Sequence, residues 1–198
     1  MNPIRTLGAT LLLALLPASL HAQFDPIGTI TAVVDGEPRT WHIPGATIED
    51  GGSGAMWMML DDKSGTAVLG GFDSRDIRFG RDPDTGYPSV SGSGSQISIS
   101  FGFTPGTSSN RYTLPAQGSE EASILLLPQA GVYNVMYDMD EGTLDASRID
   151  ASRSGPSAFA GSFSGTLVDK DGAVVHRITD GRFSVDNAMF FELESATD

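Results

Sequence analysis

The sequence predicts an all-β fold: a single antiparallel β-sandwich, jelly-roll-like or immunoglobulin-like, of about ten short strands. Three observations carry that expectation. Apolar residues recur at every second position through most of the chain, as in QISISFGF at residues 96–103, which is the period of a half-buried strand and not of a helix. Asp-Gly steps and other glycine-bearing turn signals separate these segments. No cysteine occurs, so an ordinary hydrophobic core must hold the chain together, and the chain is long enough to bury one.

The opening residues, MNPIRTLGATLLLALLPASLHAQ, have the order of a secretory leader. Arg5 precedes a short apolar run, Pro17 breaks it, and small residues lead to Ala22, after which cleavage is expected. The run is shorter than the roughly 20 residues of a spanning helix. The expected organisation is therefore a signal peptide at residues 1–22 and one β-sandwich domain at 23–198, periplasmic or secreted, with no membrane insertion once the leader is gone. The missing cysteine also removes lipid attachment, disulfides and thiolate metal sites.

Twelve basic residues stand against 25 acidic ones, a formal net charge of −13, and losing Arg5 with the leader deepens it. Such a chain repels phosphate backbones and anionic membrane surfaces, so nucleic-acid partners are not expected. Gly is abundant at 24 residues, but scattered between apolar segments, which argues for many turns and against a disordered tail.

Taken in order, residues 28–34 (GTITAVV) run into Asp35-Gly36, and 39–43 (RTWHI) follow. This is a hairpin signal, because both central residues of the favoured turn need positive φ. Residues 55–60 (AMWMML) and 66–72 (TAVLGGF) read as strands. From 73 to 94 the pattern weakens into loop chemistry, with one short strand near 77–79. After the alternation at 96–103, residues 104–121 read as a polar connection. Strands are expected again at 122–127, 132–138, 142–150, 157–168, 173–185 and 188–193. No period repeats, which excludes propellers and solenoids. An outer-membrane barrel would need regular strands of roughly ten residues. These segments are mostly shorter, and the chain ends ELESATD.

The closing stretch GSFSGTLVDKDGAVVHRITDGRFSV contains two Asp-Gly steps. From Phe159 to Leu167 the odd positions are Phe, Gly, Phe, Gly and Leu, and the even ones Ala, Ser, Ser and Thr. One face is apolar, with glycines leaving room for large side chains of a facing sheet. Past Asp171-Gly172, apolar positions start on even numbers, Val174 and Ile178, and resume on odd ones, Phe183 and Val185. Pure alternation cannot do that. Asp171-Gly172 is therefore expected to be a turn, and Asp180-Gly181 a β-bulge with Gly181 near the left-handed region.

Gly161-Ser162-Phe163-Ser164-Gly165-Thr166-Leu167, with Val175 and Ile178-Thr179-Asp180-Gly181-Arg182-Phe183, resembles the C-terminal signature of uncharacterised exported bacterial β-sandwich proteins, many of them lipoproteins of unknown function. Ala32-Val33-Val34-Asp35-Gly36 with Trp41 is similar to their N-terminal segment. The resemblance covers both ends of the chain and implies the fold and export, but no catalytic residues. The lipid-attachment cysteine of many such proteins is missing here.

Candidate chemistry is sparse. His42 and His176 are the histidines past the leader, and no Gly-x-Ser-x-Gly nucleophile setting accompanies them. His42 is expected near a strand end at the surface, and His176 turned toward the core as a hydrogen-bonded structural residue. DPDTG (82–86), DMDEG (138–142) and DKDG (169–172) each place two acidic residues one apart before a Gly. Asp82 and Asp84 are the calcium candidates, since hard cations want several oxygens, although turns favour the same residues on their own account. His42, Met56 and Met58 form a copper candidate, thioethers and imidazole being suitable ligands for cuprous ion. Alternation, however, places Met56 and Met58 opposite Trp57 and Met59, as in a strand buried on two faces. Trp41, Trp57, Tyr87, Tyr112, Tyr133 and Tyr137 could form a stacking platform if exposed. No tightly held cofactor is expected, calcium excepted. The function expected is a non-catalytic binding or accessory module for a protein or carbohydrate ligand, and the alternative is a carboxylate-based hydrolase of sugar polymers.

Overall fold

The structure, a computed structural model, describes residues 24–45, 54–61, 63–81, 88–115 and 121–191. The expected leader lies outside these residues, as do Asp82, Asp84 and Tyr87. Twelve strands follow in chain order: β1 (Pro26–Val34), β2 (Glu37–Pro44), β3 (Ala55–Met59), β4 (Gly65–Phe72), β5 (Ile77–Arg81), β6 (Pro88–Gly92), β7 (Gln96–Phe103), β8 (Asn110–Leu114), β9 (Ala122–Leu127), β10 (Tyr137–Asp150), β11 (Ser157–Val168) and β12 (Val174–Phe191).

The all-β sandwich expected from the alternation is the fold. One layer has the lateral order β2, β1, β12, β11, β10, β8, and the other β3, β4, β7, β9. The layers join at their edges through thin seams. His42 pairs with Phe72 between β2 and β4, and Tyr137 and Asp138 of β10 pair with Leu126 and Leu125 of β9. The 18-residue β12 reaches across from one layer to the other. Its end, Met189 to Phe191, runs parallel to Met56 to Met58 of β3, while every other strand pairing among the described residues is antiparallel. A hairpin of β5 and β6 forms a separate two-stranded sheet.

Both turn expectations for the closing stretch are met, with one correction. The β11–β12 connection is a turn: Asp169 Oδ1 accepts from the backbone N–H of Asp171 and Ala173, at 2.9 and 3.0 Å, and Gly172 has φ +80°. The bulge is visible in register. Phe163 and Gly165 of β11 face Gly181 and Ile178 of β12, and Thr31 and Val33 of β1 face Arg182 and Thr179, so β12 carries one extra residue in both ladders. Asp180, not Gly181, takes the left-handed conformation, at φ 52°. Gly181 is needed for space instead. A Cβ there would lie 2.5 Å from the Phe163 carbonyl oxygen and 2.7 Å from its ring.

The inner-face glycines of β11 also leave room, but for neighbours in their own layer. Gly161 pairs with Phe183 of β12, whose ring would stand 2.5 Å from an added Cβ. Gly165 is covered by Met139 Sδ of β10. Gly65 of β4 likewise pairs with Phe103 of β7. The rings so placed meet across the sandwich: Phe101 lies 5.9 Å from Phe159 and 6.0 Å from Phe183, and Phe103 lies 6.0 Å from Phe159. Outward positions of β12 such as Arg182, Ser184 and Asp186 are exposed. An apolar interior with a polar exterior is the reverse of a membrane barrel's polarity.

Three further readings are corrected. Residues 132–136 form turns, not strand, and leave Tyr133, Val135 and Met136 exposed. Residues 88–92 and 110–114 are strands where loop was expected. DMDEG is no loop either, because β10 runs through it with a register shift between Met139 and Glu141.

Gly161→Ala is expected to destabilise by about 1–3 kcal/mol through overpacking, read as a lower urea midpoint. Gly155→Ala meets only Ser152 Oγ at 3.4 Å and should stay within about 0.5 kcal/mol. Equal midpoints for the two variants would remove this account of the core.

Candidate functional site

The β5–β6 hairpin is amphipathic, and that property builds a cleft. Ile77, Phe79 and Val90 turn one face onto a small second core with Phe24, Phe72 and Ala130, where the Phe72 and Phe79 rings meet edge-on at 5.9 Å. Strand alternation sends Arg78 to the other face, opposite Ser91, and Asp76, just before β5, lies beside it. That polar face, with Ser93, Gly94, Pro128 and Gln129, lines an open cleft of about 680 Å³.

Residues next in sequence to the cleft lining are pinned by hydrogen bonds that reach the main core. Buried Trp41 donates from Nε1 to Ser95 Oγ at 2.9 Å. That hydroxyl donates to Asp73 Oδ2 at 2.6 Å, and the Ser95 N–H donates to Asp73 Oδ1 at 2.7 Å. Ser74 and Ser93 hydroxyls lie 3.0 Å apart, and Ser74 Oγ accepts from the Asp76 N–H. The Ala130 N–H donates to the Gly94 carbonyl at 2.9 Å, and Gln96 Oε1 accepts from the Gly131 N–H at 3.3 Å. Gly94 and Gly131 have positive φ. A Cβ on Gly94 would collide with the Asp73 carboxylate, and one on Gly131 with the Val90 carbonyl. Close backbone approach thus holds the hairpin against the loop after β9. Arg78 is exposed, and its side chain makes no hydrogen bond or ion pair among the described residues.

A second polar cluster closes one end of the sandwich. Asp35 sits in the β1–β2 turn at φ 51°, followed by Gly36 at φ 87°. Its Oδ2 accepts from His176 Nδ1 at 2.7 Å, and its Oδ1 from the Arg177 N–H at 2.8 Å. The Tyr137 ring meets the imidazole edge-on at 5.1 Å. The His176 hydrogen bond, then the Arg177 N–H, holds the Asp35 carboxyl below the ordinary carboxylate range. His176 is thus hydrogen-bonded, as its position suggested, but in a solvent-exposed pair with Asp35 and not turned into the core.

The other candidate residues are not gathered into one place. His42 lies on the outer face of β2 and is half-buried, not at the surface, and its Nδ1 is buried with no partner among the described residues. It pairs with Phe72, whereas Met56 pairs with Val68. Four residues of β4 separate those positions, about 13 Å along a strand. Met56 and Met58 are half-exposed beside Met189 and Phe191 of β12. No group of three or more His, Asp or Glu side chains among the described residues converges as for a metal ion. In DKDG the Asp169 carboxylate is engaged by its own turn. In DMDEG burial, then the neighbouring Asp140, pushes the Asp138 carboxyl up. Trp41, Trp57 and Tyr112 are core residues, with Trp57 Nε1 donating to Ser157 Oγ at 2.8 Å, so they supply no stacking platform.

No family model, curated protein or solved structure matches the chain.

Two pH dependences follow. Asp35 has a folded pKa below its unfolded value, so its stabilisation is present above about pH 4 and is lost as pH falls through the folded value. Asp35→Asn keeps a residue that tolerates positive φ. The gap in urea midpoint between wild type and this variant should narrow as pH falls from about 5 to about 3; a constant gap would refute the linkage. Asp138 has the opposite sign, since its folded pKa is raised and its charged form costs stability. Asp138→Asn should raise the midpoint at neutral pH, and the gain should fade below about pH 4.

Proposed function

We propose that the chain is an exported, non-catalytic binding module that holds its ligand in the cleft between the β5–β6 hairpin and Pro128-Gln129. The observation that carries this reading is the contrast between the residues that frame that cleft and Arg78 in its lining. Asp73, Ser74, Ser95 and Gln96 direct their polar atoms into the scaffold, whereas the Arg78 side chain is exposed on the hairpin. A polar group not consumed by the fold, carried on a hydrogen-bonded frame, is available to a ligand.

The hydrolase reading needs two carboxylates on either side of one bond. Of the described residues lining the cleft, Asp76 is the one carboxylate. The binding reading is therefore the better supported. Export rests on the leader-like opening residues.

Amide NMR of the isotope-labelled chain, screened against a library of small polar fragments, tests the site. Hits should move the amides of Asp76 to Arg78, Ser91 to Gly94 and Gln129 together, and Arg78→Ala should abolish most of them. Hits gathered at the Asp35–His176 end instead would overturn the assignment.

A further inference from the structure

We infer that the outer face of the layer formed by β3, β4, β7 and β9 is an interface that takes a second copy of this chain. The register of that layer sets its outward side chains in rows. Met56 and Met58 of β3 lie beside Met189 and Phe191 of β12. Together they make a ridge of long apolar side chains along one edge, with Phe191 51% exposed. Next to the ridge the side chains turn small. Met56 pairs with Val68, Val68 with Ser100, and Ser100 with Ser123, while Gly70 pairs with Ser98. Leu125 of β9 follows Ser98 in its row and bounds the far side. The face is therefore a ridge beside a shallow trough.

Charge singles out this face. A chain of net charge −13 repels its own copies, and the outer face of the opposite layer carries ion pairs, Arg111 with Asp145 and Arg148 with Asp186. None of the outward positions just named is charged. Asp61, Lys63 and Glu121, which flank them in sequence, lie outside strands β3, β4 and β9, so an uncharged centre has a charged rim, the anatomy of an interface. Shape selects the partner. A two-fold axis through the face lays the ridge of each copy in the trough of the other, so one surface serves both copies. A basic or acidic partner has no charge to recognise there, and a second copy needs none. The Ser100 and Ser123 hydroxyls hydrogen-bond to each other at 2.9 Å, which lowers the cost of taking them out of water. Five strands about 4.8 Å apart and three rows about 7 Å apart cover roughly 450–500 Å² per copy. A pair then buries about 1,000 Å² in all, the lower bound of a specific interface. The dimer expected is correspondingly weak, dissociating in the micromolar range.

Sedimentation velocity of the chain over a concentration series, from about 5 μM to about 500 μM, brackets that range. The mass should rise toward the dimer with concentration. Added salt should favour the dimer, because screening weakens the repulsion between like-charged copies. Ser98→Lys sets a charge in the trough and should weaken dimerisation about tenfold or more, although it makes the chain less acidic. Ser162→Lys makes the same charge change on the exposed outer face of β11 and should leave the dimer intact. At the lowest concentration both variants should keep the wild-type urea midpoint, since both positions lie on outer strand faces. A monomer at every concentration would overturn the proposal, and a midpoint lowered by Ser98→Lys in that monomer would assign the face to a segment of the chain itself. A dimer that Ser98→Lys leaves untouched would also overturn it, by placing the contact elsewhere.

Discussion

Aromatic rings lying over glycines of neighbouring strands are the contact on which this sandwich depends. Gly65 with Phe103, Gly161 with Phe183 and Gly181 with Phe163 are cross-strand partners. In each the glycine leaves a space that the ring fills. A ring laid over a neighbour's backbone keeps its own layer close-packed and still projects far enough to meet the opposite layer, as Phe103 does with Phe159 and Phe183 with Phe101. Burying each such side chain contributes about 1.5–3 kcal/mol. The bulge at Thr179-Asp180 is part of the same device. Without the extra residue, the parity that buries Ile178 would turn Phe183 and Val185 outward. Instead all three are buried.

Much of this was legible in the sequence, for a physical reason. Alternation reports burial directly wherever a strand has one dry face, so QISISFGF and the run from Phe159 to Leu167 could be read without ambiguity, and the change of parity after Ile178 exposed the bulge. PSVSG at 88–92 was missed because Val90 is its single large apolar residue, too few to show a period. NRYTL at 110–114 does alternate, burying Tyr112 and Leu114, but within a stretch of turn residues. The apolar residues of 132–136 misled in the opposite direction, because Tyr133, Val135 and Met136 are exposed.

The candidate site was hidden for a related reason. Its wall comes from Asp76, Arg78, Ser91 and Ser93, the segment where the alternating signal is weakest, and its framework is long-range. Asp73 bonds to Ser95, 22 residues away, and Trp41 to Ser95 across 54. Asp35 and His176 are 141 residues apart. No local pattern encodes such pairs, since they exist only once the topology has brought β1, β12 and the hairpin to their places. What the sequence did offer was Gly94 and Gly131, whose tight approaches fix the cleft, but among 24 glycines nothing local marks these two.

The two polar clusters resemble each other in composition and differ in where their hydrogen bonds go. A buried or half-buried polar group must be satisfied, and the group that satisfies it indicates its role. At the sandwich end, both Asp35 oxygens are engaged by β12, and the His176 ring rests against Tyr137. That carboxylate ties a turn to a strand, and a ligand there would have to compete with the fold. At the cleft, Asp73 performs the same structural service for Ser95, a duty that the exposed Arg78 side chain does not share. Arg78 could be lost without loosening the core, whereas Asp73 could not. Separating the groups that hold the frame from the groups that face solvent lets a disulfide-free sandwich vary an exposed side chain such as Arg78 without loosening its own core.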